Sequence, residues 1–223
     1  MTWIKICGTT SERDADIAIR AGANALGFIM AKSPRQVSDT AAYSIGTIVP
    51  KGVETIGVFV NENLETLVQT ARFCKFSGVQ LHGDEDGEYV LRLRSELPGT
   101  KIVKAATTSA LANGVSCRPD AWLIDNSRPA QRGGTGTRFD WRAAQPLIKM
   151  LQEPVILAGG LNAENVQDAL GILRPWGVDV VSGVESYPGR KHPGLLAQFI
   201  DAVRQFDARI EGGKAAAQKG QRV

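Results

Sequence analysis

Two side chains in this sequence have the chemistry to move protons on and off one small molecule. They are the thiol of Cys7, in Lys5-Ile6-Cys7-Gly8, and the carboxyl of Asp125, directly after the apolar run Ala121 to Ile124. Side chains alternate along an extended strand, so Lys5 and Cys7 share one face, and a thiol near a cation has its thiolate favoured. Cys7 is therefore a candidate general base. A carboxyl buried at an apolar strand end tends to keep its proton, which makes Asp125 a candidate general acid. Each has an ordinary alternative: Cys7 as a small buried hydrophobe, Asp125 as a loop carboxylate capping a turn. Neither alternative accounts for both residues.

A second set of residues suits an anion. Gly133-Gly134-Thr135-Gly136, Gly159-Gly160 and Ser182-Gly183 are glycine-bearing turns that can present backbone N–H groups to a phosphate. Gly134, Thr135, Gly136, Gly159, Gly160, Ser182 and Gly183 are the candidate ligands. No comparable pair follows Val58-Phe59-Val60, so one phosphate is expected rather than two. Arg35, in Lys32-Ser33-Pro34-Arg35, can form a bidentate pair with a substrate carboxylate. Gln80, His82 and Asp179 lie at or near strand ends as further polar groups able to meet a substrate. For His82 the bland reading, a polar residue bonded to backbone, is preferred to catalysis.

These residues need elements to hold them together. Short apolar runs recur near Trp3 to Ile6, Ala25 to Ile29, Thr55 to Val60, Gly78 to Leu81, Lys101 to Ala105, Ala121 to Ile124, Val155 to Leu157 and Asp179 to Val181. Between them lie amphipathic patterns around Asp16 to Arg20, Leu64 to Phe73, Tyr89 to Leu97, Ala143 to Leu151, Val166 to Leu173 and Leu195 to Phe206. Ser11 with Asp14, Ser38 with Asp39, and Asn162 to Glu164 supply start signals. Strand then helix, repeated at roughly 25 residues per unit, predicts an α/β fold with a closed parallel sheet, a single-domain (β/α)8 TIM barrel over 1–210. The fifth unit is the weakest, with at most a short helix over Ser109 to Asn113. The polar segment 211–223 is expected to be a disordered, frayed tail. Active sites of such barrels lie at the C-terminal ends of the strands, where Cys7, Gln80, His82, Asp125, Gly159 and Ser182 fall.

Composition narrows the partners. Of 223 residues, 43% are hydrophobic and 22% charged, which supports one sizeable core. The charge balance of 26 basic against 23 acidic residues gives no electrostatic reason to invoke nucleic acid. No apolar run reaches the roughly 18 residues of a membrane helix, so no membrane partner and a cytoplasmic location are expected. Three scattered cysteines and two distant histidines suggest neither a disulfide framework nor a metal site.

Taken in order, Lys5-Ile6-Cys7-Gly8-Thr9-Thr10, Gly22-Ala23-Asn24-Ala25-Leu26-Gly27-Phe28, Ser33-Pro34-Arg35, Val79-Gln80-Leu81-His82-Gly83, Gly133 to Gly136 with Phe139-Asp140-Trp141, Ala158-Gly159-Gly160-Leu161 with Glu164-Asn165-Val166, and Asp179-Val180-Val181-Ser182-Gly183-Val184-Glu185 form a specific combination. From about Lys5 to about Phe206 the chain resembles the phosphoribosylanthranilate isomerases of tryptophan biosynthesis. The resemblance implies a cofactor-free Amadori rearrangement of N-(5-phosphoribosyl)anthranilate to 1-(2-carboxyphenylamino)-1-deoxyribulose 5-phosphate. It implies Asp125 as acid, Cys7 as base, Arg35 on the anthranilate carboxylate, and the glycine turns with Ser182 on the phosphate. A monomer rather than a homodimer is expected. Two departures from the family pattern imply weaker substrate binding: Val181 stands where a serine is usual, and the loop before Arg35 is short and reads Met30-Ala31-Lys32. The readings weighed against this one are a dual-substrate or histidine-pathway ribosyl isomerase, and a barrel that binds a phosphorylated metabolite without turnover.

Overall fold

The computed structural model describes residues 1–115, 117–125 and 140–220, the last seven of these by backbone alone. Eight parallel strands close a barrel in sequence order: β1 (Trp3–Cys7), β2 (Ala25–Ile29), β3 (Glu54–Phe59), β4 (Gly78–Leu81), β5 (Lys101–Ala106), β6 (Ala121–Ile124), β7 (Val155–Leu157) and β8 (Gly177–Val180). Pairing of β1 with both β2 and β8 seals it, with Lys5 opposite Ala25 on one side and Asp179 on the other. Among the described residues eight helices follow: α1 (Glu12–Ala21), α2 (Asp39–Thr47), α3 (Leu64–Cys74), α4 (Gly87–Glu96), α5 (Thr108–Ala112), α6 (Trp141–Lys149), α7 (Val166–Leu173) and α8 (Pro193–Gly220).

Period-two alternation divides the apolar residues into two cores. Ile4, Ile6, Leu26, Phe28, Val79, Leu81, Trp122, Ile124, Val178 and Val180 point outward under the helices. Trp3, Ala25, Ile56, Val103, Ala121, Leu123, Ile156 and Ala158 fill the barrel. Burying the strands on both faces is what makes each one read as an unbroken apolar run.

Helix starts follow the sequence signals. Ser11 accepts from the Asp14 N–H and Ser38 from the Ala41 N–H. Asn162 Oδ1 takes the N–H groups of Glu164 and Asn165, ahead of α7. Differences from the sequence reading lie at the ends. β3 and β8 each begin before the predicted start, and Val181, with φ −122° and ψ −84°, has already left the strand. α8 continues to Gly220, where a frayed tail from 211 was expected. Ala215, Ala216, Ala217 and Gln218 are strong helix formers and extend a helix already nucleated by packing. A two-stranded hairpin of β9 (Glu185–Tyr187) and β10 (Arg190–Lys191), absent from the sequence reading, lies between β8 and α8.

Candidate active site

A cavity of about 210 Å³ opens at the C-terminal mouth of the barrel. Cys7, Arg35, Gln80, His82, Asp125, Gly159, Gly160, Asp179 and Ser182 all line it, so residues far apart in sequence share one chamber. Gly134, Thr135 and Gly136 lie outside the described residues. Gly183 does not line the cavity. A Cβ there would collide with the Leu161 carbonyl, so its bare Cα lets the loops after β7 and β8 touch.

The floor is polar and charge-balanced. Lys5 Nζ donates to Asp179 Oδ1 and to Gln80 Oε1, each at 2.9 Å, with Lys5 1% and Asp179 5% exposed. Burial works most strongly, against the Lys5 charge, but Asp179 and Cys7 together more than offset it and the net direction is upward from the ordinary value. This corrects the sequence reading of Cys7. Lys5 was expected to favour its thiolate; instead burial, with Asp179 adding to it, pushes the thiol up despite the pull of Lys5 and Lys191. The cation beside the sulfur is already committed to a carboxylate. Cys7 is therefore held as a thiol. Gly27, paired with Cys7 across β1 and β2, makes room for it: a Cβ would come within 2.5 Å of Cys7 Sγ and 3.0 Å of Lys5 Cε.

The rim is built differently. Arg35 Nε lies 3.0 Å from both carboxylate oxygens of Glu185, and Arg35 Nη2 donates to Glu185 Oε2 at 2.8 Å. Lys191, on β10 and fully buried, donates to Glu185 Oε1 at 3.1 Å, to the Val181 carbonyl at 3.4 Å and to the Cys7 carbonyl. Burial pulls the Lys191 pKa down while Glu185 resists. Three acceptors around Nζ use three N–H bonds, which only the ammonium carries. Among the described residues, Arg35 and Lys191 against Glu185 thus leave one positive charge in surplus.

The loop carrying Arg35 is pinched at its base. The Arg35 N–H donates to Ser33 Oγ, Gln36 Nε2 to the Met30 carbonyl, and the Val37 N–H to the Ile29 carbonyl. Gly8 lets the side chain cross: its φ is +72°, and a Cβ there would lie 2.9 Å from Arg35 Cδ. Glu185 and Lys191 went unrecognised as site residues in the sequence. Nothing in their spacing announces a brace for Arg35, although an acid just beyond the Ser182-Gly183 turn was a signal to follow.

Gly159 and Gly160 have φ of +85° and +67°, a consecutive left-handed pair that L side chains rarely adopt. Ser182 opens a short 3-10 turn, Ser182–Val184, beside them at the cavity wall. Among the described residues no group of His, Cys, Asp and Glu is placed to hold a metal ion, and no helix is long and apolar enough to cross a membrane.

Fold and site together define a (β/α)8 barrel whose mouth gathers a carboxyl, a thiol and a guanidinium around one cavity. Comparison with known proteins makes the assignment specific. The family model described as N-(5'phosphoribosyl)anthranilate (PRA) isomerase matches residues 4–202. The N-(5'-phosphoribosyl)anthranilate isomerase of Moorella thermoacetica is 41% identical over 208 residues, covering 93% of this chain and 92% of its own length. That of Citrifermentans bemidjiense is 42% identical, covering 92% and 98%. The crystal structure of phosphoribosyl anthranilate isomerase from Thermotoga maritima has a TM-score of 0.81 at 34% identity, covering 92% of this chain and all of that one. Another solved isomerase, in complex with reduced 1-(o-carboxyphenylamino)-1-deoxyribulose 5-phosphate, gives 0.79 at 32%. A further Thermotoga maritima structure concerns monomers generated from a dimeric enzyme. The chain belongs to the N-(5'-phosphoribosyl)anthranilate isomerase family, enzymes of tryptophan biosynthesis.

Proposed function

We propose that this chain isomerises N-(5'-phosphoribosyl)anthranilate by acid–base catalysis between Asp125 and Cys7. The observation that carries this reading is that both side chains line one cavity, together with Arg35 and the Gly159-Gly160 turn. Arg35 holds the anthranilate carboxylate and the glycine turn with Ser182 holds the phosphate, so both ends of the substrate are fixed and the reacting centre is oriented. Asp125 gives its proton to the ribose ring oxygen as the C1–O bond breaks, and the nitrogen lone pair forms the C1=N bond of a Schiff base cation. The cation acidifies the C2 hydrogen. The same positive charge favours the Cys7 thiolate: the thiol gives its own proton to solvent, and the thiolate takes the C2 hydrogen while the C2–H electron pair forms C1=C2 and the C1=N pair returns to nitrogen, neutralising it. The enolamine tautomerises to the ketone, C1 gaining a proton as the C2 hydroxyl loses one.

Purified protein added to phosphoribosylanthranilate should quench the anthranilate-type fluorescence faster than spontaneous hydrolysis does. Cys7→Ala and Asp125→Asn should each lower kcat by at least about a hundredfold, the usual worth of acid–base groups, with far-UV circular dichroism unchanged. Binding without product in the wild type would favour a metabolite-binding barrel instead. The protein is expected to act as a monomer, measured by sedimentation, and in the cytoplasm.

A further inference from the structure

We infer that His82 is a positioning residue for Asp125, locked as the neutral Nε2–H tautomer by a chain of hydrogen bonds that begins at Lys5. The inference rests on Asp125 being the acid. Lys5 Nζ has only donors and lies 2.9 Å from one terminal atom of Gln80, which must therefore be the amide oxygen. The other terminal atom, Gln80 Nε2, lies 2.8 Å from His82 Nδ1. An amide nitrogen has only hydrogens to offer, so Nδ1 must accept. A neutral ring that accepts at Nδ1 carries its proton on Nε2. That nitrogen is buried, has no hydrogen-bond partner among the described residues, and lies 3.5 Å from Asp125 Oδ2.

The arrangement has two consequences for the acid. Gln80 Nε2 has only N–H groups to offer Nδ1, so the ring meets Asp125 with the N–H of its other nitrogen. Once Asp125 has given up its proton, the Nε2–H is a donor already aimed at the new negative charge. Its 3.5 Å is too long for a hydrogen bond, and a small approach on substrate binding would complete one. The donor then acts where charge develops, not where it rests.

The test reads the tautomer and the turnover separately. In the full-length wild type labelled with 15N-histidine, His82 should show an unprotonated Nδ1 and a protonated Nε2 at neutral pH, assigned by the signals lost in His82→Gln. Gln80→Glu replaces the amide donor with an acceptor, so it should move the proton to Nδ1 and lower kcat by roughly ten- to a hundredfold with KM within about twofold. His82→Gln, whose amide nitrogen reaches the Nε2 position, should retain more kcat than His82→Asn, whose nitrogen reaches only Nδ1. A wild-type ring protonated on Nδ1, equal activity of the Gln and Asn variants, or an unchanged kcat after the proton has moved would each overturn the inference. If Gln80→Glu does not fold, the wild-type tautomer and the Gln and Asn pair still decide it. Full kcat in Asp125→Asn would overturn the acid assignment, and this role with it, while the ring nitrogens would still report the tautomer.

Discussion

Two buried ionic clusters flank the reacting centre, and they differ in charge. On the floor, Lys5 and Asp179 cancel, and Gln80 takes up a second N–H of the ammonium. At the rim, Arg35 and Lys191 face, among the described residues, only the Glu185 carboxylate. A balanced cluster fixes geometry and has nothing left for a ligand. A cluster with one uncancelled charge is incomplete until an anion arrives, and on the proposed reading the substrate carboxylate is that anion. The floor therefore serves rigidity and the rim serves recognition, although both are built from lysines and acids on neighbouring strands and loops.

The contrast can be broken at either end. Lys5→Met strands the buried Asp179 carboxylate and should cost about 3–5 kcal/mol of stability, read as a lower urea midpoint; an unaltered midpoint would mean that the floor is not what holds the mouth together. Arg35→Ala should leave the fold alone and raise KM by roughly ten- to a hundredfold, the range of a hydrogen bond to a charged group, with kcat held within about threefold. If kcat falls instead, Arg35 works on the chemistry and the division of labour fails. Glu185→Gln loosens the brace on Arg35 without removing the cation, so a smaller rise in KM is expected from steady-state kinetics.

Titration sharpens the comparison further. Burial pushes the Cys7 thiol up, so the folded chain keeps a proton that the unfolded chain loses at about pH 8.5. This contribution to stability is fully present below that pH and is lost as pH rises through the folded value. Catalysis should run the opposite way, because the thiolate is the base. kcat/KM is expected to climb on the alkaline side while the urea midpoint falls; a flat rate profile from pH 7 to 10 would remove Cys7 from the base role. The smallest effect is expected at Val181, which lines the cavity at a position where the resemblance implies a serine. Val181→Ser should lower KM several-fold, about 1 kcal/mol of one hydrogen bond. A KM that does not fall would mean the hydroxyl is not missed.

How much of this was legible beforehand depends on the kind of contact. β2, β4, β6 and β7 coincide with the runs Ala25 to Ile29, Gly78 to Leu81, Ala121 to Ile124 and Val155 to Leu157, because strands covered on both faces have no reason to interrupt their hydrophobicity. Ser11 and Ser38 announced helix starts because capping is a bond between near neighbours. Cys7, Asp125 and Arg35 were found through strand ends and a resemblance, and they do share a cavity. The state of the Cys7 thiol was misread, since the sequence places Lys5 beside it but does not say that Asp179, 174 positions away, has claimed the ammonium. The bland reading of His82 missed its place between Gln80 and Asp125 for the same reason.

The sequence by itself determined the order of strands and helices, the closure they imply and the types of group that reach the barrel mouth. Those follow from periodicity and local capping, which act over a few residues. Only the tertiary structure decided which groups become partners: Lys5 with Asp179, Arg35 and Lys191 with Glu185, and His82 between an amide and an acid. Electrostatic partnership is set by distance in space and by burial, and strands far apart in the chain become neighbours only when the sheet closes.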